Sequence, residues 1–373
     1  VIQISQPATG DDEWQALREP LLTGWLSQGP QVAAFEKAFA HRHSVTHALA
    51  TSSCTTGLHL ILVALGIGPG DEVIVPAFTW VATANVVLYC GATPIFVDVD
   101  RVTFNLDSIQ VAKKITTHTK AIIAVHLFGL CADMDALAAV APGIPIIEDA
   151  ACAAAATYRG RSAGTLGVAA AFSFHPRKSI TTGEGGMITT DDGSLAERMN
   201  QLRNHGASVS EEQRHAGPKP YLLPDFNLLG FNYRMTDLQG AVGRVQLGKL
   251  DRLIAERQQW ADYYRSELAS VSWLRTPVTP PGDTHAWQAY VCYVDKAQPR
   301  NALMETLQAN GIQTRPGTHA VHMLGYYRQR FAFGADDFPV ARDCDRGTLA
   351  LPLHNRMSAT DYAHVVKRLR DIV

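Results

Sequence analysis

The chain has 373 residues, enough for two or three domains at roughly 150 residues each, and its 46% hydrophobic content is ordinary for a globular protein with a large core. Its 33 basic and 35 acidic residues leave a net charge of -2, so no global field favours nucleic acid or an anionic membrane, and a phosphorylated substrate would need a local basic site. Six cysteines without a CxxC pair, an N-terminal segment carrying Asp11, Asp12, Glu13 and Arg18, and no apolar run of the roughly 18 residues a membrane helix needs point to a reduced, cytoplasmic protein without a signal peptide.

From about Thr46 to Thr190 the pattern alternates strand and helix. Short runs rich in β-branched residues (73–75, 94–97, 121–125 and 144–147) alternate with helical segments at 56–65, 81–89, 107–114 and 134–140. This is the signature of a mostly parallel sheet covered on both faces. Residues 169–174 and 187–190 add two further strands. Residues 206–235 read as loop, with Gly217-Pro218-Lys219-Pro220 and Leu223-Pro224. From Thr236 to about Leu268 one long helix is expected, capped by Thr236 or a neighbour and free of proline. Beyond the break at 277–281 the chain reads as strand, helix, strand and helix: 290–294, 300–310, 349–353 (strand or loop) and 359–372. The fold class is α/β, with a large domain over 1–240, whose N-terminal segment can pack on the small domain, and a smaller C-terminal α/β domain over 241–373.

The chemistry concentrates around Lys178. An apolar strand ends in Glu148-Asp149. A second strand delivers Ser173 and Lys178 five positions apart, and Gly183-Glu184-Gly185-Gly186 follows. That order suits pyridoxal phosphate (PLP). An Asp can hold the pyridine nitrogen protonated, a Ser can bind the phosphate, and a Lys can form the Schiff base and move protons. Asp149 would serve equally as a helix N-cap. The run from Thr51 to Gly57 opens a helix after a strand, where free N–H groups and the helix dipole favour phosphate. Trp80 is placed either to stack on a ring or to pack in the core.

Taken together these residues resemble the DegT/StrS-type sugar aminotransferases, PLP enzymes of fold type I in the aspartate aminotransferase superfamily. The resemblance spans nearly the whole chain and includes Leu26-Ser27-Gln28-Gly29-Pro30, Gly70-Asp71-Glu72, His126-Leu127-Phe128-Gly129, the Ser173–Gly186 block, and Gly230-Phe231-Asn232-Tyr233-Arg234-Met235-Thr236-Asp237. It implies that Lys178 is the Schiff-base lysine and Asp149 the partner of the pyridine nitrogen. Trp80 would stack on the ring, and Thr55, Thr56 and Ser173 would bind the phosphate. Asn232 would reach the phosphate of the other subunit in a homodimer with shared active sites. Cys152 stands where the family often has Gln or His near the phenolic oxygen, and a thiol is a weak hydrogen-bond partner.

The resemblance further implies a nucleotide-diphosphate keto sugar as acceptor, foremost a 4-keto-6-deoxy sugar, with L-glutamate as amino donor in a ping-pong reaction. His319, His322 and Arg234 are candidate substrate contacts, and Arg177, Arg315 and Lys219 are cations suited to a diphosphate. No carboxylate or cysteine completes a zinc set with His319 and His322, so no metal is expected. Neither GxGxxG nor the P-loop pattern occurs. Cyclitol ketones or precursors of aromatic antibiotic amines as acceptors, and a non-catalytic PLP-binding regulator, remain open. So do lipopolysaccharide O-antigen, another surface glycan or an antibiotic sugar as the destination of the product.

Overall fold

Seven short runs form one sheet in the computed structural model, which describes residues 1–209, 217, 221, 223–295 and 298–372. In chain order they are β1 (His47–Thr51), β2 (Glu72–Pro76), β3 (Thr93–Val97), β4 (Thr119–Val125), β5 (Ile146–Asp149), β6 (Ala169–Ser173) and β7 (Gly186–Thr190). Their spatial order is β1-β7-β6-β5-β4-β2-β3. The pairs β2–β3, β2–β4, β4–β5 and β5–β6 are parallel, and β7 is antiparallel to both its neighbours.

The two-residue period of a strand sends alternate side chains to opposite faces. Val73, Val75, Ala121, Ile123, Ile147 and Ala171 enter one core, together with Leu58 and Leu62 of the helix Cys54–Ala64 and Val86 and Val87 of the helix Ala82–Tyr89. Ile74, Ile122, Ala124, Ile146, Ala170 and Phe172 enter a second core with Phe35 and Phe39 of the helix Pro30–His43 and Leu137 of the helix Met134–Val140. Both faces being covered, strands such as 121–125 read as unbroken apolar runs. Each fully buried Ile or Phe contributes about 1.5–3 kcal/mol.

The long helix runs Asp237–Glu267, with Thr236 as its N-cap and Gln239 closing the capping box. Its first turns lie directly against Pro30–His43. A Cβ on Gly240 would sit 2.7 Å from the Val32 nitrogen, and one on Gly243 would sit 2.5 Å from the Phe35 ring. Asp237 accepts the backbone N–H groups of Gln31 and Val32, so the start of one helix caps the other. The later turns bring Ala261 and Tyr264 into a third core with Tyr290, Leu349, Leu351, Tyr362 and Val365. That core covers a three-stranded antiparallel sheet of β8 (Leu274–Arg275), β9 (Tyr290–Val294) and β10 (Thr348–Leu351), packed by the helix Ala359–Arg370. Ile2 pairs with Ile312, which ties the N-terminal residues to this region.

The stretch between His319 and β10, without an expected element of its own, contains the helices Gly325–Phe331 and Pro339–Gly347. They are short and separated by Gly334, so no sustained helical period marks them. Tyr327, Phe338, Ala341 and Cys344 pack into the first core, with Tyr327 and Phe338 against Phe96. Among the described residues no helix is long and apolar enough to cross a membrane.

Candidate active site

The parallel strands β2, β5 and β6 end at the same edge of the sheet, where a cleft of about 350 Å³ opens. Asp149, the last residue of β5, forms its floor and is 6% exposed. One carboxylate oxygen accepts the Thr83 hydroxyl at 2.7 Å, and the other accepts the Ala151 N–H at 3.2 Å. The Thr83 hydroxyl lies 3.2 Å from that of Thr79, and the Cys54 sulfur lies 3.8 Å from the carboxylate. Burial, and then the nearby Asp149 charge, push the Cys54 thiol well above its usual range, so it stays protonated. Among the described residues no basic side chain forms an ion pair with Asp149. A buried carboxylate without a cation is costly, which makes this one a natural counter-ion for a positively charged group entering the cleft.

The preceding residue, Glu148, is fully buried and holds the strand end in place. Its carboxylate meets His126 Nε2 at 2.8 Å and accepts the N–H groups of Gly164, Leu166 and Gly167 at 2.7–2.8 Å. His126 Nδ1 accepts the Ala132 N–H, which leaves Nε2 as the donor to Glu148.

Lys178 follows β6 on a tight turn closed by its own N–H to the His175 carbonyl. Its amine is 3.2 Å from the Cys152 sulfur, and among the described residues no carboxylate pairs with it. The turn is held by the Phe174 N–H to Gly185 carbonyl bond and by the Thr181 hydroxyl on the Phe174 carbonyl. Gly185 has φ 155°, and a Cβ there would sit 2.4 Å from the Thr182 hydroxyl. A Cβ on Gly186 would sit 2.5 Å from the Ser53 backbone, so only glycine lets β7 start this close to the helix Cys54–Ala64.

That helix points its N-terminus at the cleft. Ser53 is the N-cap, accepting the Thr56 N–H, while the Thr56 hydroxyl oxygen accepts the Ser53 N–H at 3.0 Å. Thr56 therefore serves the cap, whereas Ser53, Cys54 and Thr55 line the cleft.

Of the residues singled out from the sequence, Thr55, Trp80, Asp149, Cys152, Ser173 and Lys178 line this one cleft. Trp80 is 60% exposed at its rim, and its ring lies 5.9 Å from that of His319. His319 is brought there by the pairing of His319–Ala320 with Phe78–Thr79. Asn232 is exposed and Arg234 donates to Asn204, both away from the cleft within this chain. His322 is also outside it: fully buried, edge-on to Phe338, with Nε2 3.5 Å from the Ala335 carbonyl. Lys219 lies outside the described residues. Thr83, Gln288 and Thr318 were not singled out, and no local pattern marks them; Gln288 and Thr318 line the cleft while Thr83 supports its floor. Arg177 and Arg315 add positive groups to the walls, His175 an imidazole, and Glu184 a negative group 4.0 Å from His175. Partial burial holds His175 below its usual range, and the Lys178 and Arg177 charges act in the same direction.

Residues 7–370 match the model of the DegT/DnrJ/EryC1/StrS aminotransferase family. The chain belongs to that family. GDP-perosamine synthase of Caulobacter vibrioides is 41% identical over 381 residues, covering 100% of this chain and 98% of the relative. The spore coat polysaccharide biosynthesis protein SpsC of Bacillus subtilis is 40% identical over 375 residues, covering 99% and 96%. The aminotransferase TlmJ of Streptoalloteichus hindustanus superimposes with a TM-score of 0.91 at 33% identity, over 100% of this chain and 98% of that one. As a member of the DegT/DnrJ/EryC1/StrS family, the protein is a transaminase of the sugar aminotransferase class and depends on PLP. The residues present fit that cofactor. Among the described residues, the cleft offers an amine free of carboxylates, a buried carboxylate lacking a cation, and the N-terminus of an 11-residue helix for the phosphate.

Proposed function

We propose that this aminotransferase moves the amino group of L-glutamate to the ketone of a nucleotide-diphosphate sugar, foremost a 4-keto-6-deoxy sugar. The observation that carries this reading is the placement of Lys178 and Asp149 in one cleft with Trp80 and His319 at its mouth. Support for the acceptor comes from the 41% identical relative named GDP-perosamine synthase.

PLP, when bound, supplies an electron sink that makes the C–H bond beside the amine acidic. Lys178 would hold it covalently at rest, and its freed Nζ would carry the proton between donor carbon and cofactor. Positioned proton transfer of this kind contributes about 10²–10⁴-fold. Asp149 would keep the ring nitrogen protonated, with Thr83 fixing the carboxylate. The helix Cys54–Ala64 and Ser173 would hold the phosphate, and Trp80 would cover the ring. Cys152 would be a weak partner for the phenolic oxygen.

A homodimer fits the exposed segment around Asn232. Leu229 is 93% exposed and Phe226 58%, an apolar surface that a second copy would cover while bringing Asn232 to the neighbouring site. The test is to incubate the holoenzyme with L-glutamate and a panel of nucleotide keto sugars and look for an amino-sugar product by mass spectrometry. A 4-keto-6-deoxy acceptor should be converted. Conversion of cyclitol ketones alone would overturn the acceptor assignment.

A further inference from the structure

The peptide unit that joins Arg177 to Lys178 is pinned at both of its polar groups. Its N–H, that of Lys178, donates to the His175 carbonyl at 2.9 Å. Its carbonyl, that of Arg177, accepts the side-chain amide of Gln288 at 2.8 Å. The first bond is local and closes the turn. The second spans 111 residues and comes from the segment that leads into β9. Gln288 is only 8% exposed and lines the cleft. Further along the turn, Gln246 of the long helix accepts the Thr181 N–H at 3.2 Å.

Gln288 stands on a rigid support. Its own N–H donates to the Phe128 carbonyl at 3.1 Å, and the Ala286 N–H donates to the Gly129 carbonyl at 2.8 Å. Phe128 has φ 59°, a left-handed conformation that a bulky residue rarely adopts. A Cβ on Gly129, at φ 108°, would sit 3.1 Å from the Trp287 nitrogen. From the other side, buried Arg257 of the long helix donates to the Trp287 carbonyl at 2.9 Å. Backbone strain of this kind persists where the surroundings over-determine a position, and here that position is the base of one amide side chain.

We infer that Gln288 is a positioning residue for Lys178, acting through the Arg177 carbonyl. The Lys178 amine ends a flexible four-carbon stem and has two stations, at the cofactor and at the donor carbon. One stem serves both only if its Cα is fixed, and the orientation of the preceding peptide plane sets where that Cα directs it. Gln288 holds this plane. An amide suits the task, because it donates to a carbonyl without adding a charge beside the lysine. The inference rests on Lys178 acting as read above and adds what aims it.

The test compares three holoenzyme variants with the wild type. Gln288→Met keeps the volume and removes the donor. Gln288→Glu is isosteric but cannot donate when ionised, and it is the second variant if the first fails to fold. Gln288→His retains an N–H that can meet a carbonyl. The donor half-reaction is followed from the cofactor's visible band with L-glutamate and no acceptor. Gln288→Met and Gln288→Glu should lower its maximal rate by about tenfold or more and leave the half-saturating glutamate concentration within about twofold, since a slightly misplaced reacting group can cost about 10²-fold in rate. Gln288→His should recover part of the rate. The pH at which the visible band of the resting enzyme changes should move in Gln288→Met, a readout that needs no substrate and that a loss of stability alone leaves in place. Wild-type rate and band pH in Gln288→Met and Gln288→Glu would overturn the assignment. So would a change confined to the half-saturating concentration, which would give Gln288 to the donor itself. An error about Lys178 is told apart beforehand: borohydride reduction and peptide mapping of the wild type show whether the cofactor is on Lys178.

Discussion

The floor of the cleft and its rim are built on opposite terms. At the floor, Asp149 has both oxygens hydrogen-bonded, and beneath it Glu148 has four donors converging on one carboxylate. At the rim, the rings of Trp80 and His319 lie 5.9 Å apart with both residues exposed, and Arg177 and Glu184 are exposed as well. The floor is fixed by residues from β5, β6 and the helix Ala82–Tyr89, which cannot move without opening a core. The rim rests on two-residue strands and loops. A floor of this kind suits chemistry common to every acceptor, and such a rim suits the choice among acceptors.

The largest effect is expected at the floor. Lys178→Ala should lower turnover by at least about 10³-fold while the protein still binds PLP, now without a covalent link. Borohydride reduction followed by mass spectrometry checks the link, and a fully active Lys178→Ala protein would break the account of the floor. Asp149→Asn should follow, with a loss of about 10²-fold or more in transamination and a fold that stays intact. The isosteric amide keeps a partner for Thr83 but cannot hold a ring nitrogen protonated.

Away from both regions, His43 gives a pH test of the core beneath the sheet. It stacks on Phe39 at 4.1 Å and donates from Nδ1 to the Phe39 carbonyl. Burial pushes its pKa down to about 4 from the usual 6.5. Between those values the unfolded chain takes up a proton that the fold does not, so stability is intact above pH 6.5 and falls as the pH drops. The expected loss at pH 5 is about 2 kcal/mol. His43→Phe should therefore show a smaller drop in Tm between pH 7 and pH 5 than the wild type does.

The smallest effect belongs to the rim. His319→Ala should change the KM for the acceptor by a few-fold, about the magnitude of one exposed polar contact, and leave the donor half-reaction alone. Equal loss in both half-reactions would show that floor and rim are not separable.

Much of this division is readable in the sequence. The β-branched runs around residues 73–75, 121–125 and 146–147 mark strands because both their faces are buried; Asp149 is visible because it ends such a strand, and Lys178 because it stands five positions after Ser173 at the end of the next, ahead of a glycine-rich turn. Thr83 is not visible, since its bond to Asp149 joins residues far apart in the chain and nothing local distinguishes it from any helical threonine. His319 and His322 show the other limit. Three residues apart, they would share a face of a helix, but His319 lies in a short strand and His322 in the turn of helix Val321–Met323, so one reaches the rim and the other the core. Arg315 is visible as a cation, but its half-buried place on the cleft wall appears only in three dimensions.

The most direct measurement is the visible spectrum of the purified protein, before and after L-glutamate. The account predicts a yellow band from PLP bound to Lys178 that bleaches on adding glutamate and returns when an accepted keto sugar is supplied. A protein that remains colourless with added PLP would contradict the assignment of the floor, and a yellow protein indifferent to glutamate would contradict the donor.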